Sequence, residues 1–353
     1  MVLAMVQQIK NGPLPASIVP QTTAQTVYLG GGTPSLLPER ELLTIMEALH
    51  QRLAIDPQAE VTLEANPDDI TAPNLMLWRQ AGINRLSIGV QSFFDAHLQF
   101  MNRAHNAGQA EYCIAQAQDA GFANLSIDLI YGTPGLTDAQ WLDNLAKATG
   151  LQVPHISSYA LTVEEKTALY HLVKTGKSAA PAEDVQAWQF EQLSQVLGAA
   201  GYEHYETSNL AKPGWRSRHN SSYWQGKAYL GFGPGAHSFD GYRTRWWGLA
   251  NNALYLKLAM ANEVCWEAEK LTDAQRVNEV IMTQIRLAEG LAVDLDGHTV
   301  GGLALTGTQW GQFVRQLEPL LARGTLLWKA GHLVLAAEYR FMADGVAADL
   351  FLD

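Results

Sequence analysis

Cysteine is nearly missing from this sequence. Cys113 and Cys265 are the only two in 353 residues, and they sit in unrelated segments. Two distant thiols make no disulfide framework, and the pattern points to a reducing, cytoplasmic compartment. Charge is also scarce, at 17% of residues, and acids outnumber bases to leave a formal charge of −11. That balance argues against general binding to nucleic acid or to a membrane surface. No apolar run approaches the roughly 18 residues that would span a bilayer. The opening stretch, MVLAMVQQIKNG, has no basic n-region and reads as an amphipathic helix, not a signal peptide. What the chain has in quantity is apolar residues, at 47%. A sizeable core is expected, enough for one large α/β domain and a smaller one.

Short β-rich runs alternate with helical segments. TVYL (26–29), VTLEA (61–65), RLSIGV (85–90), LSIDLIY (125–131) and HISSYAL (155–161) read as strands, with YEHYETS (202–208) as a sixth. Helices are expected over about 38–54 with Pro38 in the first turn, up to a stop near Gly82, and after a cap at Thr137 or Asp138. Strands separated by helices imply parallel pairing, in a barrel or an open doubly wound sheet. The carboxyl ends of the strands carry Gly30-Gly31-Gly32-Thr33, Glu64, Gln91, Asp128 and Tyr159. Ligands of parallel α/β folds sit outside those ends, so the five tips point at one shared polar site. Turn and cap formation is the plain alternative at any single position.

The glycine run narrows the choices. TVYLGGGTPSLLPEREL lacks the Lys-Ser/Thr of a phosphate-binding P-loop, and Pro34 and Pro38 interrupt a dinucleotide fingerprint. A second glycine-rich stretch, GFGPGAH (231–237), is spoiled in the same way by Pro234. What remains at 30–33 is bare backbone against which a small polar ligand can lie.

Residues 211–247 form a basic, aromatic island in this acidic chain, with six Lys or Arg against the single acid Asp240 and nine aromatic rings. Packing at a sheet edge, a flat ligand with anionic edges such as a tetrapyrrole, and single-stranded nucleic acid all suit such a surface. His219 or His237 can supply an axial ligand or a proton.

Several stretches together resemble a known family: YLGGGTPSLL, LEANPDD, GINRLSIGVQSF, MNRAHNA, SIDLIYGTPG, HISSYALTVE, YETSN and HNSSYWQGKAYLGFGPGAH, in this order. They are similar to the radical S-adenosylmethionine proteins related to oxygen-independent coproporphyrinogen III oxidase. HNSSYW points within that group to the HemW heme-chaperone branch. The resemblance runs from about Thr26 to the C-terminus and implies an α/β fold: a partial (β/α)6 radical-SAM (TIM-like) barrel without its first strand, over 1–210. An aromatic and basic extension would cover 211–265, and a small winged-helix-like region 266–353. It implies an S-adenosylmethionine site at Gly31, Gly32, Thr33, Glu64, Gln91, Arg103, Asp128 and Ala160. It also implies a heme site at His219, Asn220, Tyr223 and Trp224. The implied activity is binding heme and handing it to an acceptor protein, with no nucleic acid and no membrane span. The alternative is oxidative decarboxylation of coproporphyrinogen.

One departure is large. The family carries a C-x3-C-x2-C loop whose thiolates hold a [4Fe–4S] cluster, and this chain has no such motif. Cys113 and Cys265 cannot replace it. A cluster is expected of a longer form whose cysteine loop would precede Met1, and no radical chemistry is expected of the chain as it stands.

Overall fold

A computed structural model describes residues 1–15, 18 and 22–353. Its central feature is a seven-stranded sheet: β1 (Thr23–Leu29), β2 (Ala54–Ala65), β3 (Arg85–Gln91), β4 (Asn124–Tyr131), β5 (His155–Ala160), β6 (Glu203–Glu206) and β7 (Asn209–Ala211). The spatial order is β1-β2-β3-β4-β5-β7-β6. The pairs β2/β3, β3/β4 and β4/β5 are parallel, as strands joined by helical crossovers must be.

The expected sixth strand is present, but it does not continue the parallel series. β7 lies between β5 and β6 and is antiparallel to both. Only Thr207 and Ser208 separate β6 from β7, too short a link for a crossover, so the chain turns back as a hairpin. The Glu206 carboxylate fixes that turn by accepting the Ser208 amide and the Asn209 side-chain amide.

Strand residues alternate between two faces. One face is apolar and fully buried: Leu86, Ile88 and Val90 on β3, Leu125, Ile127 and Leu129 on β4, and Ile156 on β5. Helices cover it, burying Trp78 of Ala72–Gln80, Ile114 of Ala107–Asp119, Trp141 of Asp138–Gly150 and Leu193 of Glu183–Ala199. Each large side chain so buried contributes about 1.5–3 kcal/mol. The helix starts are specified locally. Thr137 and Asn106 each accept the amide three residues on, while Gln140 and Gln109 reach back to complete capping boxes.

Residue contacts divide the chain into two compact units: Tyr28–Leu36 with Val61–Ser217, and Met1–Val27 with Leu37–Glu60 and Arg218–Asp353. In the second unit the opening helix, Val2–Asn11, buries Ala4, Val6, Gln8 and Ile9. A three-stranded antiparallel sheet follows, of β8 (His237–Phe239), β9 (Thr244–Gly248) and β10 (Trp266–Lys270). The GFGPGAH glycines lead into it: a Cβ on Gly231 would lie 2.2 Å from the His237 carbonyl oxygen, so its role is close backbone approach, while Gly233 and Gly235 take positive φ. The C-terminal part holds the helices Asp273–Ile285 and Gly307–Ala322 and the hairpin β14 (Leu326–Lys329) and β15 (His332–Leu335). Between them run β11 (Leu291–Asp294), β12 (Thr299–Val300) and β13 (Leu303–Ala304). They enclose a core that includes Ile281, Phe313, Leu317 and Leu333. The final helical stretch begins as a 3-10 turn, Ala337–Met342, before Ala343–Asp349. Among the described residues no helix is long and apolar enough to cross a membrane.

Candidate functional site

The second face of the main sheet is polar, and the strand register lines its residues up. Thr62 and Glu64 of β2 lie beside Arg85 and Ser87 of β3. Ser87 lies beside Ser126 of β4, and Ser126 and Asp128 lie beside His155 and Ser157 of β5. Polar residues at every second position of four neighbouring strands make a chemical surface that an apolar core would not need.

At the carboxyl rim the tips converge. Glu64 accepts the Tyr28 hydroxyl on one oxygen at 2.8 Å and the Gly31 amide on the other at 3.0 Å. The glycine loop and β2 are thereby tied together. Gly31 and Gly32 take φ of +75° and +74°, and no atom lies within 4 Å of where a Cβ would project from either, so their backbone faces open space. Thr33 is exposed beside them. Ser35 donates to Asp69 at 2.6 Å, which links the loop to the NPDD turn. Arg103 donates to Asn66 Oδ1 at 2.7 Å and to the Gly89 carbonyl at 3.1 Å. Gln91 ends β3 in a left-handed conformation, φ +65°, and its amide and the Arg103 guanidinium both crowd Gly89. Ala160 is the last residue of β5 and pairs with Tyr131.

Asp128 lies three residues before the end of β4, hydrogen-bonded by Ser157. Burial pushes its carboxyl up to about 6, the Glu64 charge adds to that, and Ser157, Arg85 and Arg103 act in the opposite direction. The Tyr28 hydroxyl is raised as well, by burial first and then by Glu64. Glu64, Asp128 and Arg103, read from sequence as parts of one site, therefore share one electrostatic environment. Reasoning from the tips alone missed Tyr28, Arg85, Asn66 and Ser157. The period-two run of polar residues in T62/E64, R85/S87, S126/D128 and H155/S157 was the signal for Arg85 and Ser157. Tyr28 left no such mark.

The second cluster belongs to the other unit. HNSSYW forms the short helix Arg218–Trp224. The Glu60 carboxylate, 5% exposed, accepts the amides of Arg218 and His219 at 3.1 and 3.0 Å. Arg218 also donates to the Gln58 carbonyl and to Gln25. His219 Nδ1 lies 2.8 Å from Thr26 Oγ1, and Nε2 lies 3.0 Å from the Tyr223 hydroxyl. The His219 and Tyr223 rings meet edge-on at 4.8 Å, and Tyr223 meets Tyr229 likewise at 4.7 Å. Burial raises the Tyr223 hydroxyl to about 12. The Arg286 guanidinium sits 5.0 Å from the Trp224 ring, while Asn220 is partly buried. His237 is on β8, stacked on Trp247. Much of the island's positive charge is spent within the protein: Arg216 pairs with Glu203, Arg243 with Asp273, and Arg245 with Glu269 and Glu279.

The residues present do not fit an iron–sulfur cluster. A [4Fe–4S] group of this class takes three thiolates, and the two thiols here are buried in different units. Burial raises Cys113 to about 12 and raises Cys265 too, the reverse of what a metal ligand needs.

Comparison with known proteins follows this geometry. A family model described as the radical SAM superfamily matches residues 17–148. The heme chaperone HemW of Mycobacterium tuberculosis is 37% identical over 339 residues, covering 96% of this chain and 83% of its own. The mouse mitochondrial radical S-adenosyl methionine domain-containing protein 1 is 36% identical over 319 residues, 86% of this chain and 70% of the relative. Among solved structures, the coproporphyrinogen III oxidase HemN of Escherichia coli, a radical SAM enzyme, overlays with a TM-score of 0.79. It covers 99% of this chain and 82% of that one at 19% identity, a likeness of fold. With a polar rim on the strand ends of an incomplete barrel and kinship over nearly its whole length, the chain belongs to the HemW heme-chaperone family of radical S-adenosylmethionine proteins.

Proposed function

We propose that this chain binds heme through the helix Arg218–Trp224, binds S-adenosylmethionine at the strand-end rim, and passes heme to an acceptor protein. The observation that carries the heme half is the presentation of His219: its helix start is fixed by a buried carboxylate, and its Nε2 lies 3.0 Å from the hydroxyl of the partly exposed Tyr223. Swinging Tyr223 aside breaks the bond at Nε2, where iron would bind, and leaves the Nδ1–Thr26 contact to orient the ring. Tyr223, Tyr229 and Trp224 offer apolar faces to a flat macrocycle, and Arg286 lies beside Trp224.

The rim has the donor set that S-adenosylmethionine asks for. When bound, that molecule brings an ammonium, a carboxylate, a ribose diol and a permanent sulfonium charge. Glu64 and the glycine backbone suit the ammonium, Arg103 the carboxylate and Asp128 the ribose hydroxyls. Gln91, Thr33 and Ala160 complete the wall. Its two buried thiols are too few to hold a cluster of this class, so this chain supplies no route to a radical step. Two unpaired, buried cysteines suit a cytoplasmic setting.

The test is a heme titration of this chain beside His219→Ala. Tight binding by the parent and its loss in the variant support the carrier reading, and equal binding by both overturns His219 as the ligand.

A further inference from the structure

Behind the rim runs a chain of buried polar groups that ligand contact does not explain. His155 is 0% exposed, Tyr205 1%, Ser126 0% and Ser157 3%. The Tyr205 hydroxyl lies 2.8 Å from His155 Nε2, and His155 Nδ1 lies 2.7 Å from Ser126 Oγ. Ser126 Oγ lies 3.3 Å from Ser157 Oγ, and Ser157 bonds the Asp128 carboxylate. Tyr159 also bonds Ser157. Tyr205, at the far end, packs 5.3 Å from the Arg216 guanidinium.

We propose that His155 and Tyr205 are positioning residues that, through Ser126 and Ser157, aim every hydrogen of this chain at Asp128 and hold its carboxylate ready for the ligand.

The donor arithmetic gives the direction. An ionised Asp128 accepts only, so Ser157 spends its single hydrogen there and must itself accept from Ser126. Ser126, having given its hydrogen to Ser157, accepts from His155, which fixes the proton on Nδ1. Nε2 is then an acceptor, and Tyr205 donates to it. A neutral imidazole is required, and His155 is held neutral because burial, with the Arg85 charge behind it, lowers its basicity far below the usual range. Once Asp128 is protonated it can donate to Ser157, and the bonds then run the other way: the Nδ1 proton passes by way of Ser126 and Ser157 to Asp128, while Nε2 takes up one proton by exchange with solvent and donates to Tyr205, a net gain of one proton. Among the described residues the charged and titratable groups facing Asp128 are Glu64 from β2, Arg85 from β3, Arg103, Tyr28 from β1 and Tyr159 from β5.

The inference deepens the rim reading, and its first readout is independent of that reading. In the full ligand-free chain, imidazole nitrogen NMR follows the His155 tautomer from pH 5 to 8, with His155→Gln to assign the signal. The expected result is Nδ1–H above pH 6.5, conversion to Nε2–H with a midpoint near 6, and no conversion in Asp128→Asn. Tyr205→Phe, or Ser157→Ala should that variant fold poorly, raises the Asp128 carboxyl titration by half a unit or more. It also weakens S-adenosylmethionine several-fold at pH 7, with recovery at pH 8. A His155 tautomer indifferent to pH, or an Asp128 titration unmoved in Tyr205→Phe and Ser157→Ala, overturns the proposal. A parent chain that shows the tautomer switch but never binds S-adenosylmethionine supports the relay and sinks the rim reading instead.

Discussion

Glu60 and His219 are joined by a hydrogen bond of 3.0 Å, from the His219 amide to a carboxylate that is 5% exposed. The other oxygen takes the Arg218 amide, so one side chain satisfies two of the open amides at the start of a seven-residue helix. That helix buries none of its own residues, so such polar ties carry much of its placement. Glu60→Ala should cost about 1–3 kcal/mol of stability and reduce heme affinity although Glu60 never touches heme. Denaturant unfolding and heme titration of the same variant check both parts. Unchanged heme affinity would separate the helix from the site.

Tyr223 covers the nitrogen that iron would use. Removing its hydroxyl in Tyr223→Phe should tighten heme by up to about tenfold, the worth of one hydrogen bond no longer broken on binding. A weaker complex would mean that the phenol assists the bound state.

Two neighbouring glycines should respond differently. A methyl on Gly30 would sit 2.6 Å from the Tyr28 ring and 2.8 Å from Glu64 Oε1. Gly30→Ala is expected to break the Tyr28–Glu64 bond and to lower S-adenosylmethionine affinity at least tenfold. Gly32→Ala meets nothing within 4 Å and suffers only its left-handed backbone, about 1 kcal/mol. Calorimetric titration of both variants decides, and equal losses would refute the close-approach argument.

Asp128 sets up an opposition between stability and binding. Its folded carboxyl titrates near 6, above the usual 3.8, so ionising it costs the folded state more than the unfolded one. The penalty is absent below pH 3.8, grows as pH rises to 6 and is complete above that. At pH 7 Asp128→Asn should therefore stabilise the chain by about 1–3 kcal/mol, with no gain near pH 4. The same variant should bind S-adenosylmethionine more weakly. Thermal unfolding at the two pH values tests the sign.

Anaerobic incubation with iron and sulfide should leave no stoichiometric [4Fe–4S] absorbance, because two buried, high-pKa thiols in separate units cannot hold the group. A full complement of cluster iron would overturn that.

The glycine loop and the first five strands were legible because parallel strands leave apolar runs between turn residues, although their order in the sheet was not. Thr137, expected as a cap, is one, with Gln140 completing the box. The antiparallel β7 was hidden, since Asn209–Ala211 is three residues long and follows a two-residue turn that reads as loop. Glu64 and Asp128 stood out as carboxylates in apolar strands. Arg85 did not, because a charge at the first position of a strand looks like an exposed end, whereas here it is 2% exposed. Tyr205 and His155 were invisible as a pair, since 50 residues separate them and only the hairpin brings them together.

The Tyr223 hydroxyl, one helical turn beyond His219, has a further consequence for delivery. A phenol tethered so near acts as a resident competitor at high effective concentration. If His219 holds heme as proposed, the imidazole that released iron would take up the Tyr223 hydroxyl again, and recapture of the macrocycle would have to displace that competitor. Such an arrangement favours one-way release to a recipient over storage.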